Sequence, residues 1–311
     1  MAHILVTGGS GLIGWCAADS LLQMGHEVTI FDLYPNQENI ARLSGPVSVV
    51  SGNLTDLPLL LSVIGEGKIT HVIHLAAAIY DQSARDPAAA FRVNIGGTAN
   101  LFDACCALGV SRVVWTSSSA TLAAPADYDG TPVTEDYRVF SRGPYGASKY
   151  GCEVLAAAYR QSKGLDSIGI RPNLTFGLGR LTGGTGTFNS AIREAAFGRL
   201  TRITDMGSGI QGMYNKDMGD FLARILFGPK PPRDVYNSPS PVWQVAELAG
   251  AIKSICPDAP IELIPLADYV TDIVPLLDTA NVDADLPFTC RYSLEAAIEE
   301  MVAEFRRAPN A

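Results

Sequence analysis

His3-Ile-Leu-Val-Thr-Gly-Gly-Ser-Gly-Leu-Ile-Gly14 begins with an apolar run, His3 to Val6, of a length that suits a buried parallel strand, and then breaks into glycines at 8, 11 and 14. Helical apolar spacing follows at Leu12, Ile13, Ala17, Leu21, Leu22 and Met24, and Gly25-His26 ends it. Glu27-Val-Thr-Ile-Phe-Asp32 reads as a second strand with a carboxylate at its end. In that strand–turn–helix–strand context a glycine triplet points to dinucleotide binding. Gly8 permits the tight turn, Gly11 lets backbone N–H groups approach a pyrophosphate, and Gly14 lets the helix lie close to the sheet. The helix N-terminus adds partial positive charge and unpaired donors. Asp32 can accept from both adenosine ribose hydroxyls and would repel a 2′-phosphate. Leu33 follows it and no arginine comes before Arg42, so the expected cofactor is NAD rather than NADP.

From residue 1 to 171 strand and helix patterns continue to alternate. Further strands are read at 46–51, 71–77, 110–117 and 167–171, with a long helix near 84–107 and another from 145 to 163. Such alternation predicts an α/β fold, a Rossmann-type doubly wound parallel sheet covered on both faces. Ligands then gather outside the carboxyl ends of the strands. After Arg171-Pro172 the texture changes, with a Gly/Thr-rich stretch over 173–215 that includes Leu181-Thr-Gly-Gly-Thr-Gly-Thr187. Val235 to Ser238 reads as a strand returning to the main sheet, and helices are expected near 243–256 and 293–306. The expected organisation is a cofactor-binding domain over 1–171, with 233–256 returning to it. A smaller substrate-binding lobe over 172–311 packs on it.

The chain has 311 residues, 47% of them apolar and 18% charged, which is ordinary for a globular protein with a large core. A net charge of −9 argues against nucleic acid or an anionic membrane as partner. No apolar stretch approaches the roughly 18 residues of a membrane span, and the start of the chain lacks the features of a signal peptide. The cysteines at 16, 105, 106, 152, 256 and 290 form no metal-ligating spacing with each other or with the scattered histidines. A reduced, cytoplasmic protein without a metal is the expectation.

Ser141-Arg-Gly-Pro-Tyr-Gly-Ala-Ser-Lys149 sets Tyr145 and Lys149 four apart at the start of a helix, on one face. A free phenol ionises near pH 10, about three units too high for a base at neutral pH; an ammonium and a nicotinamide cation beside it both favour the phenolate. Tyr159 and Lys163 repeat the spacing, about 21 Å further along at 1.5 Å per residue. The second pair is therefore expected on the surface, at the far end of the helix. Trp115-Thr-Ser-Ser-Ser-Ala-Thr121 supplies hydroxyls at the carboxyl end of the fifth strand, where one can share the charge developing on a reacting oxygen. Hydroxyl-rich strand ends also serve as turns and caps.

These residues, taken together, resemble the extended short-chain dehydrogenase/reductase family, which contains the NAD-dependent sugar epimerases and dehydratases. The likeness runs through Thr7 to Gly14, Asp32, Gly52-Asn-Leu-Thr-Asp56, His74-Leu-Ala-Ala-Ala78, Asn94-Ile-Gly-Gly-Thr98, Ser117 to Thr121, Tyr145 to Lys149 and Arg171-Pro172. It implies Ser119 as the active-site hydroxyl, Tyr145 as acid/base and Lys149 as its partner and ribose ligand. It also implies a cofactor-binding set of Gly8, Gly11, Leu12, Ile13, Gly14, Asp32, Asn53, Leu54, Ala76, Ala77, Asn94 and Ser117, together with Tyr145 and Lys149. Leu54 would cover the adenine with Asn53 beside it, Ala76 and Ala77 would line the channel, and Ser117 would approach the nicotinamide. A homodimer through the helices near 84–107 and 145–163 follows from the same likeness.

The departures are informative. Ala120 and Thr121 stand where dehydratases of the family place acids. Gln211-Gly-Met-Tyr-Asn-Lys-Asp217 lacks the arginine with which nucleotide-sugar members hold the diphosphate, and Arg171-Pro-Asn-Leu174 alters the usual Arg-Pro-x-Asn. Asn281-Val-Asp-Ala-Asp285 is acidic where basic residues are frequent. A buried diphosphate needs cations, and Arg180, Arg193, Arg199 and Arg202 remain as sources. The leading expectation is an NAD-dependent dehydrogenase oxidising a secondary alcohol of a small polar, sugar-like or hydroxy-acid substrate. A (nucleotide-)sugar epimerase with tightly bound NAD is the alternative, and a catalytically silent dinucleotide-binding regulator a lesser one. Specificity is expected in the loops 78–85, 120–127 and 173–214.

Overall fold

The computed structural model describes residues 1–122, 125–137, 139, 141, 143–180, 186–205, 209–265 and 275–307. Residues 181–185 and 206–208 of the Gly/Thr-rich stretch, and 123–124 of the 120–127 loop, lie outside the described residues. The strands are β1 (His3–Thr7), β2 (Glu27–Asp32), β3 (Ser48–Ser51), β4 (His71–His74), β5 (Arg112–Thr116), β6 (Ser167–Arg171), β7 (Leu174–Phe176), β8 (Thr201–Asp205), β9 (Ile210–Tyr214), β10 (Val235–Asn237), β11 (Val242–Trp243) and β12 (Ile261–Pro265). The helices are α1 (Gly14–Gln23), α2 (Gln37–Ile40), α3 (Leu57–Glu66), α4 (Tyr80–Arg85), α5 (Pro87–Phe91), α6 (Gly97–Leu108), α7 (Pro144–Lys163), α8 (Gly186–Ala196), α9 (Asn215–Phe227), α10 (Val245–Ile255), α11 (Ala280–Asp285) and α12 (Leu294–Arg307).

Among the described residues a 7-stranded parallel sheet runs in the order β10-β6-β5-β4-β1-β2-β3. Strand order reverses between β1 and β4, which opens a crevice at their carboxyl ends. Alternate side chains of β1 feed two cores. Ile4 and Val6 join Ala17 and Leu21 of α1 and Met218 and Phe221 of α9, whereas Leu5 joins Leu60, Phe102, Trp115 and Cys152 on the other face. Gly219 lets α9 lie directly on α1, since a Cβ there would be 2.5 Å from the Ala17 nitrogen. The fully buried Trp115 covers Gly169 of the neighbouring strand, where a Cβ would meet the indole at 2.6 Å.

The helix expected over 84–107 is in fact broken. Asp86 caps α5 by accepting from the Ala89 N–H at 2.9 Å, and Pro87 occupies the first turn, where its missing donor does no harm. A π-helical turn over Arg92–Gly96 then leads into α6. Pro87 therefore starts a new helix where apolar periodicity alone suggested continuity.

Beyond β6 the chain builds a small sheet, β11-β9-β7, and a parallel pair, β12-β8. Val235–Asn237 returns to the main sheet beside β6, Tyr236 opposite Ile170, whereas Val242–Trp243 pairs with β9. Trp15 and Cys16 of α1 pack among Phe176, Ile192, Ile298 and Met301, so α1 belongs both to the core around Ile4 and Val6 and to a third core beyond β6. A polar cavity of about 450 Å³ between α1 and α12 is rimmed by the Arg42–Glu304 pair at 2.8 Å and by Lys216–Glu300. Among the described residues no helix is long and apolar enough to cross a membrane, and no acid, histidine and cysteine group could hold a metal ion.

Candidate active site

The glycine turn sits in the crevice between β1 and β4. Gly8 has φ +66°, and a Cβ there would stand 2.7 Å from the Ala76 nitrogen. A Cβ on Gly14 would stand 2.1 Å from the Gly8 carbonyl oxygen. Side chains at either position would fill the cradle that backbone donors at the start of α1 line. At the end of β2, Asp32 Oδ2 accepts from Ser10 Oγ at 2.7 Å and from the Ser10 N–H at 3.2 Å. Asp32 Oδ1 has no hydrogen bond among the described residues and remains for a ribose diol. These residues fit NAD.

The flanking positions divide between surface and interior. Ala76 and Ala77 are half-buried after β4, and Asn53 is exposed, its Oδ1 accepting from the Thr55 N–H at 3.0 Å. Leu54 is only 4% exposed, packed in the core under Gly97. Asn94 accepts from the Ala78 N–H at 2.7 Å and donates to the Ala78 carbonyl at 3.0 Å and to Ser148 Oγ at 2.8 Å. Ser117 donates to Glu153 Oε1 at 2.5 Å, and Glu153 forms a buried two-bond pair with Arg171, both at 2.7 Å. The side chains of Leu54, Asn94 and Ser117 are thus turned inward.

The catalytic candidates come from two elements in close contact. Pro144 starts α7, and Gly146 presses on the Ser119–Thr121 turn so tightly that a Cβ would lie 1.8 Å from the Ala120 carbonyl oxygen. This contact brings the start of α7, which carries Tyr145, against the turn that carries Ser119. The neighbouring hydroxyls are already engaged: Ser117 on Glu153, Ser118 accepting from the Ala120 N–H at 3.1 Å, and Thr121 donating to the Ser118 carbonyl at 2.9 Å. Ser119 Oγ has no hydrogen bond among the described residues. Lys149 is buried one turn beyond Tyr145, and its ammonium also has no hydrogen bond among them. Beneath it His74 lies between Thr7 Oγ1 at 2.7 Å and Thr98 Oγ1 at 3.0 Å. Burial, and then the Lys149 charge, pushes this imidazole down to about 3, so it is neutral. A phenol, an unengaged hydroxyl and a buried ammonium can together move a proton off a secondary alcohol. Tyr159 and Lys163, by contrast, form an outer cluster with Asp103, to which Lys163 donates at 2.6 Å.

Residues that the motifs did not single out complete the surroundings. The Tyr80 ring packs on Tyr145, centroids 5.2 Å apart and planes tilted by 44°. Burial pulls the Arg180 guanidinium below its usual range, and the charges of Tyr145 and Asp81 draw it back. Gln211 accepts from the Leu277 N–H at 2.6 Å and from Asn173 at 3.1 Å, and donates to the Ser240 and Leu277 carbonyls at 3.2 and 3.0 Å. Tyr80 starts α4, so most of the stretch 78–85, expected as a loop, is helical; its position after β4 was the one signal pointing to Tyr80.

A model of the NAD dependent epimerase/dehydratase family matches residues 4–237. The UDP-glucose 4-epimerase of Mycolicibacterium smegmatis is 35% identical over 228 residues, covering 71% of this chain and 72% of that protein. That of Corynebacterium glutamicum is 32% identical over 169 residues, covering 54% of this chain and 50% of that protein, so the match spans about half the length of such relatives. The solved UDP-glucose 4-epimerase of Thermus thermophilus, in complex with NAD, superposes with a TM-score of 0.84 at 26% identity, covering 98% of this chain and 99% of that one.

Proposed function

The chain belongs to the NAD dependent epimerase/dehydratase family, and from that premise we propose that it inverts a secondary alcohol of a sugar, with Tyr145 as acid/base. It is an NAD-dependent enzyme. When bound, NAD would supply the redox chemistry, as acceptor and, in an epimerase, donor of a hydride at the reacting carbon. Tyr145 takes the hydroxyl proton and later returns it. Ser119, its hydroxyl unengaged, donates to the reacting oxygen and fixes its position. Lys149 holds positive charge one turn from the phenol and keeps its donors for the ribose. The glycine turn and Asp32 would hold the pyrophosphate and the adenosine ribose of NAD. The observation that carries the epimerase reading is the 35% identity, across 71% of this chain, to a protein named UDP-glucose 4-epimerase.

One feature favours a second reading, net oxidation of a small free alcohol. Gln211, in the stretch where nucleotide-sugar enzymes are expected to carry an arginine, has its whole amide tied to Asn173, Ser240 and Leu277. It offers nothing to a diphosphate. The two readings separate when protein is denatured to count NAD and then assayed with UDP-glucose and with free sugars and hydroxy acids. Stoichiometric, tightly held NAD and inversion at C4 without net reduction supports the epimerase; exchangeable NAD and net NADH formation supports the dehydrogenase. In either case Tyr145→Phe lowers turnover about a thousandfold while NAD affinity stays; undiminished turnover would remove Tyr145 from its role. A homodimer is part of the same proposal, and the exposed Tyr150 and Val154 of α7 suit that face.

A further inference from the structure

A peptide unit is planar and trans, so its carbonyl and its N–H point in opposite directions. Whatever holds one residue's carbonyl therefore also sets the direction of the next residue's N–H. In the cofactor turn two carbonyls are held from outside by buried amides. Asn39 donates to the Ser10 carbonyl at 2.8 Å, and Asn215 donates to the Leu12 carbonyl at 2.9 Å. The Gly11 N–H that follows Ser10 is already engaged, donating to the Gly8 carbonyl at 3.0 Å. The Ile13 N–H that follows Leu12 has no hydrogen bond among the described residues. Ile13 is the N-cap of α1, where unpaired donors and the positive end of the helix dipole receive an anion. Of the two amides, Asn215 is thus the one that directs a free donor.

The same amide nitrogen reaches a second turn, Gly177-Leu-Gly-Arg180. Asn215 also donates to the Leu178 carbonyl at 2.9 Å, and this carbonyl accepts from Trp15 Nε1 of α1 at 3.2 Å as well. Both N–H bonds of the amide are therefore used, one on each turn. Its Oδ1 accepts from no group among the described residues, so the donors are what the amide contributes. Asn39 makes a parallel bridge, from Ser10 to the Gly179 carbonyl at 3.3 Å. Asn189 of α8 spans the 177–180 turn alone, accepting from the Gly177 N–H at 3.0 Å and donating to the Arg180 carbonyl at 2.8 Å. All three asparagines are at most 1% exposed. Gly177 has φ +142°, and a Cβ there would lie 2.0 Å from Asn215 Oδ1, so glycine leaves the room that the amide occupies. Asn215 itself opens α9, which Gly219 lets lie directly on α1. The amide is fixed from both ends.

We propose that Asn215 is a positioning residue for the cofactor: through the Leu12 carbonyl it aims the Ile13 N–H at the NAD pyrophosphate, and through the Leu178 carbonyl it fastens that donor to the second lobe. A hydrogen bond to a charged group is among the stronger ones and depends on its direction. The proposal rests on the glycine turn being the pyrophosphate site.

The test loads the full-length protein with NADH and displaces it with ADP and with adenosine, following NADH fluorescence. Wild type, Asn215→Leu, Asn215→Ala and Asn189→Leu are compared, with urea midpoints measured alongside. The ratio of the ADP affinity to the adenosine affinity isolates what the diphosphate contributes. Asn215→Leu, of similar branched shape but without the donors, is expected to lower this ratio about tenfold and to leave adenosine binding within about twofold. Asn215→Ala should do the same with a smaller side chain, and carries the comparison if Asn215→Leu does not fold. Asn189→Leu, which frees groups of the 177–180 turn only, should lower the urea midpoint and keep the wild-type ratio. A wild-type ratio in the folded Asn215 variants overturns the proposal. So does a loss for adenosine as large as that for ADP, which would make Asn215 a structural residue only. Equal affinity of wild type for ADP and adenosine instead overturns the placement of the pyrophosphate on the glycine turn, and the proposal with it.

Discussion

A methyl group on residue 146 would stand 1.8 Å from the Ala120 carbonyl oxygen and 2.3 Å from Ser141 Oγ. The Ala120 contact is with backbone, so α7 or the Ser119 turn must shift. A displacement of about 1 Å at reacting groups can reduce rate about a hundredfold. Gly146→Ala is therefore expected to lower kcat by about that factor, with KM for NAD changed little. Wild-type kcat in a folded Gly146→Ala protein would show that the Ser119–Tyr145 approach does not depend on this glycine. The places of Tyr145 and Lys149 at the start of a helix, and of Asp32 at the end of a strand, were legible in the sequence because their signals are local: a four-residue helical spacing, and an acid closing an apolar run. The inward-facing Ser117 hydroxyl was not, because its partner Glu153 lies 36 residues away and is itself engaged by Arg171.

The turn over 177–180 shows what element-scale reading leaves out. Its glycines were visible as a change of texture, but its three buried partners, Asn39, Asn189 and Asn215, read in sequence as ordinary loop and helix residues. Removing a buried hydrogen-bonding group costs about 1–3 kcal/mol. Asn39→Ala frees carbonyls on both the cofactor turn and the 177–180 turn, so it should destabilise the fold by about that amount in urea titrations. It should also weaken NAD and substrate together. Unchanged NAD affinity in the Asn39 variant would mean that the two turns are fastened but not coupled. The break of the long helix at Pro87 was, by contrast, available in the sequence: Asp86-Pro87 is a cap followed by a residue suited to a first turn.

Across the whole molecule, three histidines contribute to the response to acid. His26 and His71 flank Phe227, with ring centroids 4.4 and 4.7 Å away, and burial lowers both. His74 is pushed down to about 3. The folded protein therefore binds fewer protons than the unfolded chain below the ordinary histidine value of about 6.5. The stability contributed by these neutral rings is complete above that pH and is lost as pH falls. For His74 alone the loss runs at about 1.4 kcal/mol per pH unit down to its depressed value. Urea unfolding at pH 7.5, 6.5 and 5.5 should show a falling midpoint, less steep in His74→Gln; identical slopes in the two proteins would mean that His74 takes up its proton without unfolding.

β10 stands at the edge of the main sheet, beside β6, although more than sixty residues separate them in the chain. During synthesis β6 leaves the ribosome as an open edge whose side chains are all destined for burial. At roughly 5–20 residues per second, its partner follows only several seconds later. Through that interval the nascent chain carries a sticky apolar margin, and a ribosome that pauses between residues 171 and 235 prolongs it. The speed of translation through the second lobe thus bears on whether the first one is completed or captured by a neighbour.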